Sequence, residues 1–247
     1  MSKTTTPRPF TQNSDLRRSG VFAWTLPAFA GRFASDPDRT YNTCPEAGVC
    51  ARLCYALTGT YRFSNVKAAH EAKLLRVLDH PDEWEADMAQ ELTHRRYQGR
   101  WIRIHDAGDF FADWYLEAWL RLVRGAPGVN FYCYTKAVSR FRRLVEPDPP
   151  TNFKWCYSLG GREDHLIDLD NQRHADVFPD AAAVLEAGYA DQSESDLLSV
   201  LGPARVGIPA NRIPHLLKRQ GDHTFGSLQR ARDAQLAAKR ERFTPAA

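Results

Sequence analysis

Arg100-Trp-Ile-Arg-Ile-His-Asp-Ala-Gly-Asp109 decides the fold. It is a short strand pattern, with Ile102 and Ile104 alternating against Trp101, that runs straight into polar residues around a glycine. A helix-period segment rich in Trp, Leu and Val follows from Asp113 to Val123, and the theme then repeats. Val129-Asn-Phe-Tyr-Cys-Tyr-Thr135 reads as a strand, Ala137 to Leu144 as a basic helix, and Asn152-Phe-Lys-Trp-Cys-Tyr-Ser158 as the next strand, ending at Gly160-Gly161. Strands alternating with helices in this way imply βα units and a parallel sheet. With right-handed crossovers the expected fold class is α/β, a partial TIM-like (βα) barrel with mostly parallel strands.

Upstream, Val21 to Pro27 reads as a first strand, Asn65 to Leu78 and Glu83 to Tyr97 as helices with apolar faces. Downstream, Asp176 to Phe178 and Ala204 to Ile208 read as strands. Asp180 to Ala187, Ser193 to Leu201 (capped by Ser193) and Ser227 to Arg242 read as helices. Three regions are expected: a disordered basic arm over residues 1–18, a barrel-like domain over 19–215, and a basic helical segment over 216–247. From Leu217 to Ala247 there are seven Lys/Arg against three Asp/Glu.

In parallel βα folds the loops after the strands gather at one end, so that is where chemistry is sought. After the first strand comes Cys44-Pro-Glu-Ala-Gly-Val-Cys50-Ala-Arg-Leu-Cys54, holding three of the five cysteines. The next strand ends in His105-Asp106-Ala107-Gly108-Asp109, the next in Tyr134-Thr135-Lys136, and the next at Ser158. The expected site therefore combines Cys44, Cys50 and Cys54 as metal ligands, His105, Asp106 and Lys136 as catalytic groups, and Gly108, Asp109, Tyr134 and Ser158 around a cofactor. Three thiolates on one loop can hold an iron–sulfur cluster and leave one coordination position open. The alternative is a structural zinc site closed by a fourth Cys or His, although C-x5-C-x3-C is not the usual paired spacing of zinc fingers.

Several features have plainer readings. Cys133 and Cys156 lie inside apolar strands and read as core residues. Asp109 could cap the helix beginning near Phe111. Trp101, Trp114 and Trp119 fit helix–sheet packing, and His70, His80, His94 and His223 read as surface or packing residues. Arg140-Phe-Arg-Arg143 and Lys239-Arg-Glu-Arg242 read as solvated faces. No apolar run approaches a membrane span, and the polar start MSKTTTPRPF lacks the apolar stretch of a secretion signal, so a cytoplasmic protein with no membrane partner is expected. A net charge of +3 does not by itself point to nucleic acid, but the basic termini leave nucleic acid open as a partner.

The segments Thr43-Cys-Pro-Glu-Ala-Gly-Val-Cys-Ala-Arg-Leu-Cys-Tyr-Ala56, Gly59-Thr-Tyr-Arg-Phe63, Ile104-His-Asp-Ala-Gly-Asp-Phe110 and Phe131-Tyr-Cys-Tyr-Thr-Lys136 resemble the phage gene product 88 family. That resemblance implies a phage protein acting in the host cytoplasm. More distantly, the series is similar to radical S-adenosylmethionine (SAM) enzymes, whose three cysteines bind a [4Fe–4S] cluster on a partial barrel. By that similarity Cys44, Cys50 and Cys54 would ligate the cluster, and SAM would take the open position. The usual radical SAM motif is C-x3-C-x2-C. Here Cys50 and Cys54 fit its first half, but Leu57 stands where its third cysteine would be, and Cys44 replaces it from the N-terminal side. The rival from another class is a non-catalytic, zinc-stabilised protein that binds host nucleic acid or a host protein. Nothing in the sequence identifies a substrate, small molecule or nucleotide, or an oligomeric state.

Overall fold

The computed structural model describes residues 9–210 and 212–243. Nine strands are present among them: β1 (Val21–Trp24), β2 (Ala30–Arg32), β3 (Thr40–Asn42), β4 (Trp101–Ile104), β5 (Asn130–Thr135), β6 (Phe153–Ser158), β7 (His174–Phe178), β8 (Ala190–Asp191) and β9 (Arg205–Pro209). The helices are α1 (Ser14–Arg18), α2 (Cys50–Leu53), α3 (Ser64–Asp79), α4 (Pro81–Leu92), α5 (Asp113–Gly125), α6 (Val138–Leu144), α7 (Ala181–Glu186), α8 (Leu198–Leu201), α9 (Pro214–Gln220) and α10 (Phe225–Phe243). Seven strands form one sheet in the order β1-β4-β5-β6-β7-β9-β8, and every neighbouring pair is parallel. The α/β class with a parallel sheet is as the sequence implies. No pairing joins β1 to β8 among the described residues, so hydrogen bonds do not close the sheet into a barrel. β2 and β3 form a separate antiparallel hairpin just before the cysteine loop.

A parallel sheet needs cover on both faces, and the period-2 alternation sorts its side chains accordingly. Ile102, Ile104, Phe131, Cys133 and Phe153 face α3 to α6 and pack with Leu74, Trp84, Met88, Tyr115, Trp119 and Phe141. Trp24 centres this layer, its ring 5.9 Å from Trp84 and 6.0 Å from Trp119. The opposite face carries Val21, Ala23, Tyr132, Cys156, Ala175 and Val206 against Leu16 and Val200. Arg103 is on that face and pairs with Asp196 at 3.0 Å. Both strand cysteines are thus core residues, as expected.

Local chemistry sets the element ends. α3 stops at His80 because Pro81 disfavours helical backbone before it, and Pro81 then starts α4 with Asp82 and Glu83 in the first turn. The helix expected over Glu83 to Tyr97 ends at Leu92, and Arg95–Tyr97 is a separate 3-10 turn. Ser193 is not a helix cap, because the following helix begins only at Leu198, with Leu197 before it. Ser193 instead donates its hydroxyl to Asp191 in a local turn. Asp109 likewise does not cap α5, which begins at Asp113. Of the basic arm expected over residues 1–18, residues 1–8 lie outside the described residues. In the rest, Phe10 and Leu16 are buried and Thr11 bridges to Ala23. No helix among the described residues is long and apolar enough to cross a membrane.

Candidate functional site

The cysteine loop is fastened over the ends of β4, β5 and β6 by three sets of hydrogen bonds. Ahead of Cys44, the Thr43 carbonyl accepts from Asp109 N at 2.9 Å, and the Thr43 hydroxyl donates to the Pro27 carbonyl at 2.6 Å. In the middle, Gly48 N and Cys50 N both donate to the Gly160 carbonyl, at 3.0 and 3.1 Å, while Arg162 N donates to the Glu46 carbonyl. Beyond Cys54, the Tyr55 hydroxyl donates to the Asp106 carbonyl, and the Tyr61 hydroxyl to Asp106 Oδ2 at 3.1 Å. The β4–α5 turn therefore grips the loop on both sides. A loop tied this way holds its cysteines in fixed relation to the strand ends.

Asp109 organises the floor. It is buried, and its carboxylate accepts from Phe110 N (2.7 Å), Thr135 Oγ1 (2.8 Å) and Lys136 N (2.9 Å). Burial pushes its pKa up from the ordinary carboxylate value, and these donors oppose the shift. Lys136 Nζ donates to Ser158 Oγ at 2.7 Å and forms no ion pair among the described residues. Burial disfavours its charge, yet its pKa stands above the usual lysine value, held up first by Cys50 and then by Asp109, Asp164 and Cys44. This ammonium therefore sits within electrostatic reach of the cysteine loop.

The three thiols are half-buried. Burial pushes Cys44 and Cys54 each up to about 12, so both are neutral thiols in the free protein. Among the described residues no three His, Cys, Asp or Glu side chains are gathered closely enough to hold a metal ion.

His105 and Asp106 do not join this floor. His105 has φ +70°, which swings its ring off the alternation set by Trp101 and Arg103. The ring packs on Phe110 at 4.7 Å, and Nε2 meets the Tyr115 hydroxyl at 2.9 Å. Burial, reinforced by Arg103, pushes its pKa down to about 3, and Nδ1 is buried without a hydrogen-bond partner. Asp106 is a clasp: besides Tyr61 it accepts from the Thr25 hydroxyl, tying β1 to β4. Gly108, at φ +91°, admits the close approach of Leu26, whose Cβ would lie 3.0 Å from an added Cβ. Tyr134 points to the far face, where its hydroxyl donates to Gln192 Oε1 at 2.7 Å. Of the expected residues, the structure thus brings Lys136, Ser158 and Asp109 to the underside of the cysteine loop.

Three contributors escaped the sequence reading. Asp164 accepts from Gly160 N (2.7 Å) and Gly161 N (2.8 Å), fixing the turn that receives the loop. Gln229 of α10 is buried, and its Oε1 accepts from Val49 N at 2.8 Å across 180 positions of sequence. Arg52, between two of the cysteines, lines with Cys54 a cleft of about 780 Å³ against α9 and α10. Only the glycines next to Asp164 carried any local signal.

The family model described as "Gene product 88" matches residues 2–241 of this chain. The gene 88 protein of Mycobacterium phage L5 is 35% identical over 103 residues, covering 38% of this chain and 43% of the phage protein. The gene 88 protein of Mycobacterium phage D29 is 33% identical over 103 residues, covering 38% and 42%. The matched stretch thus spans less than half the length of either curated relative. No solved structure matches the chain.

Proposed function

The chain belongs to the phage Gene product 88 family, and we propose that it is an iron–sulfur protein of radical SAM type, with Cys44, Cys50 and Cys54 as the cluster ligands. The observation that carries this reading is the Lys136 ammonium, buried under the cysteine loop and without an ion pair. A buried cation draws negative charge to it, and Asp109 and Asp164 supply part of that charge from outside ion-pair distance. Three metal-bound thiolates would supply the rest. The donor types suit a cluster, with three thiols on one anchored loop and no carboxylate or imidazole in the loop besides Glu46, and ligation would still have to draw the three sulfurs together.

When bound, a cluster with one open position supplies single-electron reduction of a co-ligand such as SAM. The chain's own part is to hold and charge-balance it. Asp109 fixes the Lys136 backbone, Ser158 accepts from its ammonium, and the Gly160 carbonyl orients Gly48 and Cys50. The sequential, all-parallel order of the first five neighbouring strands supports reading the sheet as a partial TIM-like barrel whose C-terminal mouth the loop covers.

The test is anaerobic reconstitution with iron and sulfide, followed by reduction in the presence of SAM. The expected result is absorbance near about 400 nm from about four irons per chain, with 5′-deoxyadenosine released, and loss of both in Cys54→Ala. A cluster that leaves SAM intact would remove the enzymatic half of the reading. Stoichiometric zinc without sulfide would replace it with the metal-stabilised binding protein.

A further inference from the structure

A cleft beside Cys54 opens onto the cysteine loop, and its charge is one-sided. Its walls carry Arg52 from α2, Arg219 and His215 from α9, and Arg232 from α10, and no Asp or Glu lines it. Elsewhere Arg39, Arg76, Arg96, Arg103, Arg121, Arg124 and Arg140 are in ion pairs, and Arg32, Arg142 and Arg173 donate to backbone carbonyls. Arg52, Arg219 and Arg232 have no ion pair among the described residues. The one hydrogen bond that links them, from Arg219 to the Arg52 carbonyl at 3.2 Å, holds two of the three side by side.

Beneath the cations the floor is apolar, built on Leu53 and Leu216, both buried, with the amide of Gln235 at its side. A volume of about 780 Å³ is that of a small-molecule site. Three arginines in its lining call for several negative charges on one ligand, since a guanidinium presents a planar fork suited to phosphate oxygens. A monocarboxylate would leave most of that charge unmatched. An inorganic polyphosphate would leave the leucine floor and the Gln235 amide unused.

We propose that this cleft binds a nucleoside di- or triphosphate, with the phosphates on Arg52, Arg219 and Arg232 and the base over the leucine floor. The site uses none of the thiols as ligands and stands whether or not the loop holds a cluster. It also stays apart from Lys136 and Ser158, which do not line the cleft.

The test is isothermal titration of the full chain, purified both with and without iron, using ATP, adenosine, inorganic triphosphate and a short single-stranded oligonucleotide. Saturable ATP binding is expected in both preparations, with adenosine and inorganic triphosphate each at least about tenfold weaker. Arg232→Gln and Arg219→Gln should each weaken ATP about tenfold or more, and Arg205→Gln, outside the cleft, should leave it unchanged. Arg232 is at the rim of α10, so its variant keeps the test open should Arg219→Gln fold poorly, as checked by circular dichroism. Absence of saturable ATP binding overturns the proposal. So does binding of adenosine or inorganic triphosphate as tight as ATP, binding of the oligonucleotide alone, or arginine variants that bind ATP as the parent does.

Discussion

His105 gives the sharpest numerical prediction. It is 2% exposed, its Nδ1 has no partner, and burial with Arg103 nearby holds its pKa down at about 3. In the unfolded chain the same group takes its proton near about 6.5. Protonation therefore favours the unfolded state throughout the interval between these values. The neutral imidazole's contribution is complete above about pH 6.5 and is lost as the pH falls toward 3. One proton over that interval is about 1.4 kcal/mol per pH unit, so lowering the pH from 7 to 4 should remove about 3 kcal/mol of stability through His105 alone. Carboxylates titrate in the same range, so the measurement is a difference. Urea unfolding of the parent and of His105→Asn is followed at pH 7 and pH 4, asparagine being chosen because it tolerates the positive φ at this position. At pH 7 the variant should be about 1–3 kcal/mol less stable, for the lost contact with Tyr115. At pH 4 that gap should close or reverse. A parent and variant that lose stability in parallel from pH 7 to 4 would refute the reasoning, since His105 would then be protonated in the fold or solvated by a buried water.

Three further outcomes follow from the same structure. Asp164 is pushed up to about 6 by burial, so its folded form holds a proton that the unfolded chain has released by about pH 4; stability through this group falls as pH rises from about 4 to 6, opposite in direction to the His105 effect, and Asp164→Asn should flatten that part of the profile in thermal melts. Gln229→Ala leaves Val49 N without its acceptor and should cost about 1–3 kcal/mol, with faster amide exchange at the start of α2 while β4 to β6 stay protected. Lys136→Met should cost the metal-free protein about 1–3 kcal/mol, because Cys50, Asp109 and Asp164 outweigh the burial penalty and hold the ammonium's pKa above the usual lysine value; a variant as stable as the parent in denaturant melts would mean that this charge is not matched in the free protein.

Much of the scaffold was readable from alternation alone. The runs ending at Ile104, Thr135 and Ser158 are strands because β-branched and aromatic residues recur there at period 2 between turn signals. The gathering of Lys136, Ser158 and Asp109 under the cysteines followed from the rule that parallel strands deliver their loops to one end. What failed was local and conformational. The positive φ of His105 reverses its side chain without any glycine to announce it, and a buried core histidine looks the same in sequence as a site histidine. The short strand β8 and the β2–β3 hairpin carry too few residues for a periodic signal, and both exist through their partners. Ser193 has the chemistry of a cap but stands five residues before the helix and donates to Asp191 instead. The clamp by Gln229 comes from a distant helix, and no reading of the cysteine loop's own neighbours could supply it.

The central claim is that Cys44, Cys50 and Cys54 together hold an iron–sulfur cluster over Lys136. It is tested most directly by iron and acid-labile sulfide content of the anaerobically isolated chain, beside the variant with all three cysteines changed to serine. The account expects about four irons and four sulfides per chain in the parent and neither in the variant. Equal metal content in the two proteins, or a parent that carries zinc and no sulfide, would contradict it.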